Sequence, residues 1–182
     1  EDLRNYQVQL ELNTSELLVE DAIASDCSNL RFTSTSQEQT VDHWTKPREC
    51  GKQDAEVWIE VPYIPANSTR SIYLYTGEEG ISDASSGSET FLDFDEFNSG
   101  LSGYSTTGDV IQRSGRVNLR SANGNEASIK YTDTTREPPY RFMTTFTPSG
   151  NAENSSVNTL VNSTDDSLGL NTTENVFYSD YS

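Results

Sequence analysis

An all-β fold, built from β-sandwich (jelly-roll-like) units with one short helix near the N-terminus, is predicted by three features of the sequence. Apolar and polar residues alternate at period two in short stretches. Gly, Asn or Pro separates most of those stretches, as expected of strands joined by turns. The core-forming bulk is aromatic, with 9 Tyr, 7 Phe and 2 Trp in 182 residues that are only 32% hydrophobic. That is enough for a sheet-based core if the strands are efficiently patterned, and the length fits one large β domain or two small ones.

The first strand is read from Tyr6, Val8, Leu10 and Leu12 alternating with Gln7, Gln9 and Glu11, a half-buried pattern. Ser15 to Ala24 then carries helix formers after candidate caps at Thr14 or Ser15. Leu30 and Phe32 flank Arg31 as a second strand. Val57, Ile59 and Val61 alternate with Trp58 and Glu60, and Pro62 is expected to close that strand. Ile72 and Leu74 alternate with Tyr73 and Tyr75 before Gly77 turns the chain. Residues 82–90, within a run of Gly, Ser, Asp and Glu, read as a linker between a first domain (1–81) and a second (91–182). In the second, Phe91, Phe94 and Phe97 form an aromatic patch. Short strands follow around Val117/Leu119, Ile129/Tyr131, Tyr140/Phe142 and Val157–Val161.

With 12 Lys+Arg against 29 Asp+Glu, the formal charge is −17. Such a chain repels nucleic acid. No run of about eighteen apolar residues offers a membrane span. One His and two Cys cannot furnish a four-ligand His/Cys zinc site. The cations are 9 Arg and only 3 Lys. An acidic, Lys-poor surface suits the very salty water of a halophilic archaeon, where counterions screen self-repulsion; an acidic secreted domain from an ordinary habitat shows the same balance. On the salt-adapted reading the melting temperature rises between about 0.1 M and about 3 M NaCl, and a flat or falling series removes that reading.

The chain opens at Glu1 with no Met and no apolar leader, which reads as a removed signal peptide or a segment of something longer. Asn-x-Ser/Thr sequons at Asn13, Asn67, Asn154, Asn162 and Asn171 point to an exported glycoprotein. In an exported chain, Cys27 and Cys50 are expected to form a disulfide.

Several segments, in order, resemble a known family. Asp26-Cys-Ser-Asn-Leu-Arg-Phe32, Val41-Asp-His-Trp44, Ala55-Glu-Val-Trp-Ile-Glu-Val-Pro62 and Ile64-Pro-Ala-Asn-Ser-Thr-Arg-Ser-Ile-Tyr-Leu-Tyr-Thr-Gly77 are similar to domain of unknown function family 2341, as is Phe91-Leu-Asp-Phe-Asp-Glu-Phe97. The resemblance covers roughly residues 3 to 97. Thr76-Gly77 stands where the family usually has Tyr-Gly, and Asn29 where it usually has Asp. It implies placement in a large surface-exposed protein of archaea or bacteria, and it supplies no catalytic residues. The stretch from Phe91 through Tyr104 to Leu119 resembles the opening of a concanavalin A/laminin-G-like β-sandwich. Only five or six candidate strands follow the linker, fewer than the eight or so of a jelly roll, so this second unit is expected to be incomplete.

Candidate chemistry is sparse. His43, the only His, sits beside Trp44, and no strained turn presents a Ser to it. Asp93, Asp95, Glu96 and Asn98 gather hard oxygen ligands beside a turn and are candidates for a structural calcium; an acidic strand end has the same composition. No other cofactor is implied. Trp58, Tyr73 and Tyr75 fall on the face opposite Val57/Ile59 and Ile72/Leu74. They form a candidate ligand or contact face, although a strand apolar on both sides is usually buried on both, and burial is the expectation here. The reading is a non-enzymatic, extracellular cell-surface module acting in adhesion or as a unit of an appendage, with copies of itself, other surface proteins or glycans as partners. The alternative is a carbohydrate-binding module of a larger secreted hydrolase.

Overall fold

In the computed structural model the described residues are 1–34, 39–76, 80–120 and 127–132, with the backbone of four further strands between 140 and 181. The fold is all-β, with antiparallel ladders and two short helices. The chain divides into two compact units, Glu1–Glu96 and Phe97–Ser182.

The first unit starts with β1 (Leu3–Leu12), helix α1 (Thr14–Val19) and β2 (Leu30–Thr33). It continues through β3 (Thr40–Val41), β4 (His43–Thr45), β5 (Ala55–Ile64), β6 (Tyr73–Thr76) and helix α2 (Gly87–Thr90). Two three-stranded sheets result, ordered β1-β5-β4 and β3-β2-β6. Period-two alternation sends Val57, Ile59 and Val61 from one sheet, and Leu30, Phe32 and Val41 from the other, into one shared core with Ile23 and Cys27. The long β1–β5 pairing keeps this register, with Val8 opposite Ile59 and Leu10 opposite Val57. Pro62 does not close β5 as expected, because the ladder continues to Ile64. It lies across from Asn5, which takes a left-handed φ of 48°, and the pairing skips this one position, Asn5/Pro62, before resuming at Arg4 and Tyr63.

The helix is shorter than Ser15–Ala24. Its cap is Asn13, whose side chain accepts from the Glu16 N–H, and it ends at Val19 with Glu20 as C-cap. Asp21 then turns left-handed at φ 55° and sends Ile23 into the core, where a further helical turn would not place it.

Residues 82–90 are not a free linker. The Ser86 N–H donates to the His43 carbonyl at 2.8 Å and the Thr45 N–H donates to Ser85 Oγ at 2.9 Å. Ser86 caps α2, accepting from the Glu89 N–H, and Thr90 is fully buried. The boundary therefore lies after Glu96, since Phe91 and Phe94 pack within the first unit.

The second unit holds, among the described residues, eight strands, more than the five or six expected. They are β7 (Tyr104–Thr107), β8 (Asp109–Gln112), β9 (Val117–Arg120), β10 (Ser128–Tyr131), β11 (Tyr140–Thr145), β12 (Val157–Leu160), β13 (Ser167–Leu170) and β14 (Val176–Tyr181). They pair as β7–β10, β8–β9, β11–β14 and β12–β13. Ser114 and Gly115, both at positive φ, make the two-residue turn of the β8–β9 hairpin, closed by mutual bonds between Arg113 and Arg116. Phe97, Tyr104 and Tyr131 form an aromatic row with centroids 5.4 to 5.5 Å apart. Side chains beyond residue 132 lie outside the described residues, so the expected incompleteness of this core has no structural account.

Candidate functional site

Trp58, Tyr73 and Tyr75 do not form one face. Trp58 is on the outer side of β5 in one sheet, and the tyrosines are on β6 at the edge of the other. Cross-strand register explains the difference between them. Trp58 stands directly opposite Trp44, and residues 85–94 return over both rings. Phe91 lies 5.5 Å from Trp58 and 5.6 Å from Trp44, Phe94 lies 5.2 Å from Trp44, and the two phenylalanines stack 5.7 Å apart. Trp58 is 4% exposed, as expected. Its Nε1 donates to Glu56 Oε1 at 2.8 Å, while Lys46 Nζ holds Glu56 Oε2 at 2.6 Å. A buried indole N–H is thus satisfied within the cover.

Tyr73 and Tyr75 correct the burial expectation, at 40% and 41% exposure. In β6, Leu74 pairs with buried Phe32 and shares its face but is itself 37% exposed, while Tyr73 and Tyr75 pair with Thr33 and Arg31 on the other side. Among the described residues no second layer covers that side, and β6 is an edge strand with all four residues exposed. Arg31, the strand partner of Tyr75, is held by donating to the carbonyls of Ser28, Leu30 and Ser82 at 2.6 to 2.8 Å. The result is a fixed ledge with two tyrosines about 7 Å apart along one strand.

His43 points into the core beside Phe32, with ring centroids 5.1 Å apart, and is 2% exposed. Its Nε2 has no hydrogen-bond partner among the described residues. Burial holds its pKa below the ordinary 6.5, with Arg31 acting in the same direction and Asp83 and Asp42 opposing. Among the described residues no hydroxyl is hydrogen-bonded to it, and the geometry is that of a buried core imidazole. The folded state therefore binds fewer protons than the unfolded chain just below 6.5, and stability is complete above that value and falls as the pH drops through it. Melts between about pH 7.5 and about pH 5.5 should show this loss, with a limiting slope of about 1.4 kcal/mol per pH unit for one group. In His43→Phe the loss over this window should disappear; its persistence would assign the dependence elsewhere.

Asp93, Asp95 and Glu96 are exposed in the segment ending the first unit, and Asn98 belongs to the second. Among the described residues no group of three or more His, Cys, Asp or Glu is arranged to hold a metal ion. Cys27 and Cys50 form the expected disulfide. Of the sequons, Asn13 and Asn67 are exposed, while Asn154, Asn162 and Asn171 lie outside the described residues. No helix among the described residues is long and apolar enough to cross a membrane.

The aromatic cover was the feature least visible in the sequence, yet two signals marked it: Phe91 and Phe94, and the Ser86-x-x-Glu89 pattern that starts α2. No curated protein and no solved structure matches the chain. Residues 26–106, from the disulfide turn before β2 through the aromatic cover and into β7, match the family model described as Domain of unknown function (DUF2341).

Proposed function

We propose that this chain is a non-catalytic module of an exported cell-surface protein, acting in adhesion or as a structural unit of an extracellular appendage, with β6 as its contact element. The observation that carries this reading is the exposed Tyr73–Tyr75 ledge on an edge strand of an otherwise well-packed, disulfide-closed sandwich. Tyrosine supplies a large, rigid contact area at low entropic cost, which suits a protein–protein contact. An open edge also offers backbone groups to a partner strand. The similarity of residues 26–106 to a family placed in large surface proteins, the disulfide and the sequons support export.

A second reading rests on the same ledge. Two tyrosine rings about 7 Å apart can stack on sugar rings, which fits a carbohydrate-binding module of a larger hydrolase. One pair of measurements separates the two. The Tyr73→Ala/Tyr75→Ala variant should keep the wild-type melting temperature and lose lateral association between copies in concentrated, high-salt solution. Glycan-array binding that disappears in the same variant, with no self-association in the wild type, would favour the carbohydrate module instead. Association unaffected by the variant would remove β6 from the function.

A further inference from the structure

The two described sequons differ in what the fold does with them. Asn13 is consumed by the start of α1. Its Oδ1 accepts from the Glu16 N–H at 3.2 Å and from Ser15 Oγ at 2.8 Å, and its Nδ2 donates to Glu16 Oε2 at 2.9 Å. The middle residue, Thr14, is fully buried; its hydroxyl donates to the Lys52 carbonyl at 2.9 Å and accepts from the Gly51 N–H at 3.0 Å. The Ser15 N–H bonds the same Lys52 carbonyl at 3.0 Å. Carboxamide, middle residue and distal hydroxyl are all engaged, so this sequon is presented only if the cap opens.

Asn67 is the opposite case. It occupies the connection between β5 and β6 at a left-handed φ of 53°, a conformation Asn tolerates in turns. Asn67, Ser68 and Thr69 are exposed and belong to no strand or helix. No hydrogen bond among the described residues uses their side chains. The base of the turn is nevertheless held. Asp2 accepts from the Ala66 N–H and the Tyr63 hydroxyl, and the guanidinium groups of Arg4 and Arg70 lie over the Tyr63 ring at 4.8 and 5.6 Å from its centroid. The tip is thus offered on a fixed support.

We propose that Asn67 is the N-glycan acceptor of the folded first unit and that Asn13, although a sequon, is closed to transfer. The inference rests on the export reading above. The donor is an oligosaccharide linked through phosphate or pyrophosphate to a polyprenol, carried by a membrane oligosaccharyltransferase. Asn67 Nδ2 attacks C1 of the first sugar, forming the C1–N bond as the C1–O bond to phosphate breaks. The lipid phosphate leaves with the electron pair, and one Nδ2 proton passes to a base of the transferase.

The test uses the full, disulfide-closed chain with a purified single-subunit oligosaccharyltransferase and its lipid-linked oligosaccharide, chosen because it modifies free peptides 10–18 and 64–72 at similar rates. Glycopeptides are then quantified by mass spectrometry. Asn67 should be modified at least about tenfold faster than Asn13 in the folded chain, because the latter must first open locally. Reduction and unfolding should bring the two rates together, and Asn67→Gln should remove the 64–72 product. Equal rates in the folded chain, or no product at Asn67, would overturn the proposal. Enzyme and donor are supplied in this assay, so it reads acceptor geometry alone; the surface-contact reading fails separately, on the Tyr73/Tyr75 variant.

Discussion

Replacing Cys27 and Cys50 together by Ala should destabilise the first unit by about 3 kcal/mol, the loop-closure contribution of a bridge of this span. The bond joins residues 23 apart and encloses β2, β3 and β4, which carry parts of both sheets. Without it the unfolded chain regains the freedom to separate the turn before β2 from the loop before β5. Two further features add to the loss. Cys27 is buried in the core cluster, so removing its sulfur leaves a void beside Ile23 and Leu30. Cys27 also sits at a left-handed φ of 61°, a conformation costly for a residue with a Cβ and held there by its neighbours and the cross-link. For a unit of this size the melting temperature should fall by roughly 15 °C. Wild-type protein melted in reductant should show a smaller shift in the same direction, because reduction removes the cross-link but leaves the Cys27 sulfur in the core. An unchanged transition in both experiments would mean that the fold does not depend on the bridge.

The strands that proved legible were those long enough to show a period. β1 and β5 are ten residues long and alternate over Tyr6–Leu12 and Val57–Val61. β2, although short, places Leu30 and Phe32 in the core as expected, while Leu74 of β6 shares their face but stays exposed. β3 and β4 have two and three residues, too few to alternate, and the chain changes sheets between them at Asp42. Local propensity over-extended α1, because the sequence does not show that Ile23 is needed in the core. The candidate contact face was half legible. That Trp58, Tyr73 and Tyr75 share the outward parity of their strands follows from alternation; that they belong to different sheets, and that only Trp58 has a cover, depends on where distant residues 85–94 fold. A Gly- and Ser-rich composition describes a linker only if nothing holds it, and here two hydrogen bonds to β4, one backbone–backbone and one through the Ser85 hydroxyl, and the phenylalanines do.

That cover carries the second large expected effect. Trp58→Ala should cost about 3–5 kcal/mol, the range for emptying a buried aromatic site. The indole is buried between β4 and the returning segment, and its loss also leaves Glu56 without the N–H that now satisfies one carboxylate oxygen. Phe91→Ala should cost somewhat less, because Phe91 itself is only half-buried, but it uncovers Trp44 and Trp58 together. Gly87→Val attacks the same cover from beneath. A Cβ at Gly87 would lie inside van der Waals contact of the Phe94 ring, so the ring or α2 must move away. These variants share one structural unit, and the double variant Trp58→Ala/Phe91→Ala should lose less than the sum of its parts. The readout is direct, because the protein's 2 Trp are the two indoles of this cluster. Phe91→Ala and Gly87→Val should therefore shift tryptophan emission to the red while the chain remains folded, as water reaches the rings. A chain ending at residue 81 should show that emission and aggregate through the uncovered outer face, whereas one ending at Glu96 should melt cooperatively with buried-tryptophan emission. If both truncations behave alike, or if Phe91→Ala leaves emission and stability unchanged, residues 85–94 are not part of the first unit's packing.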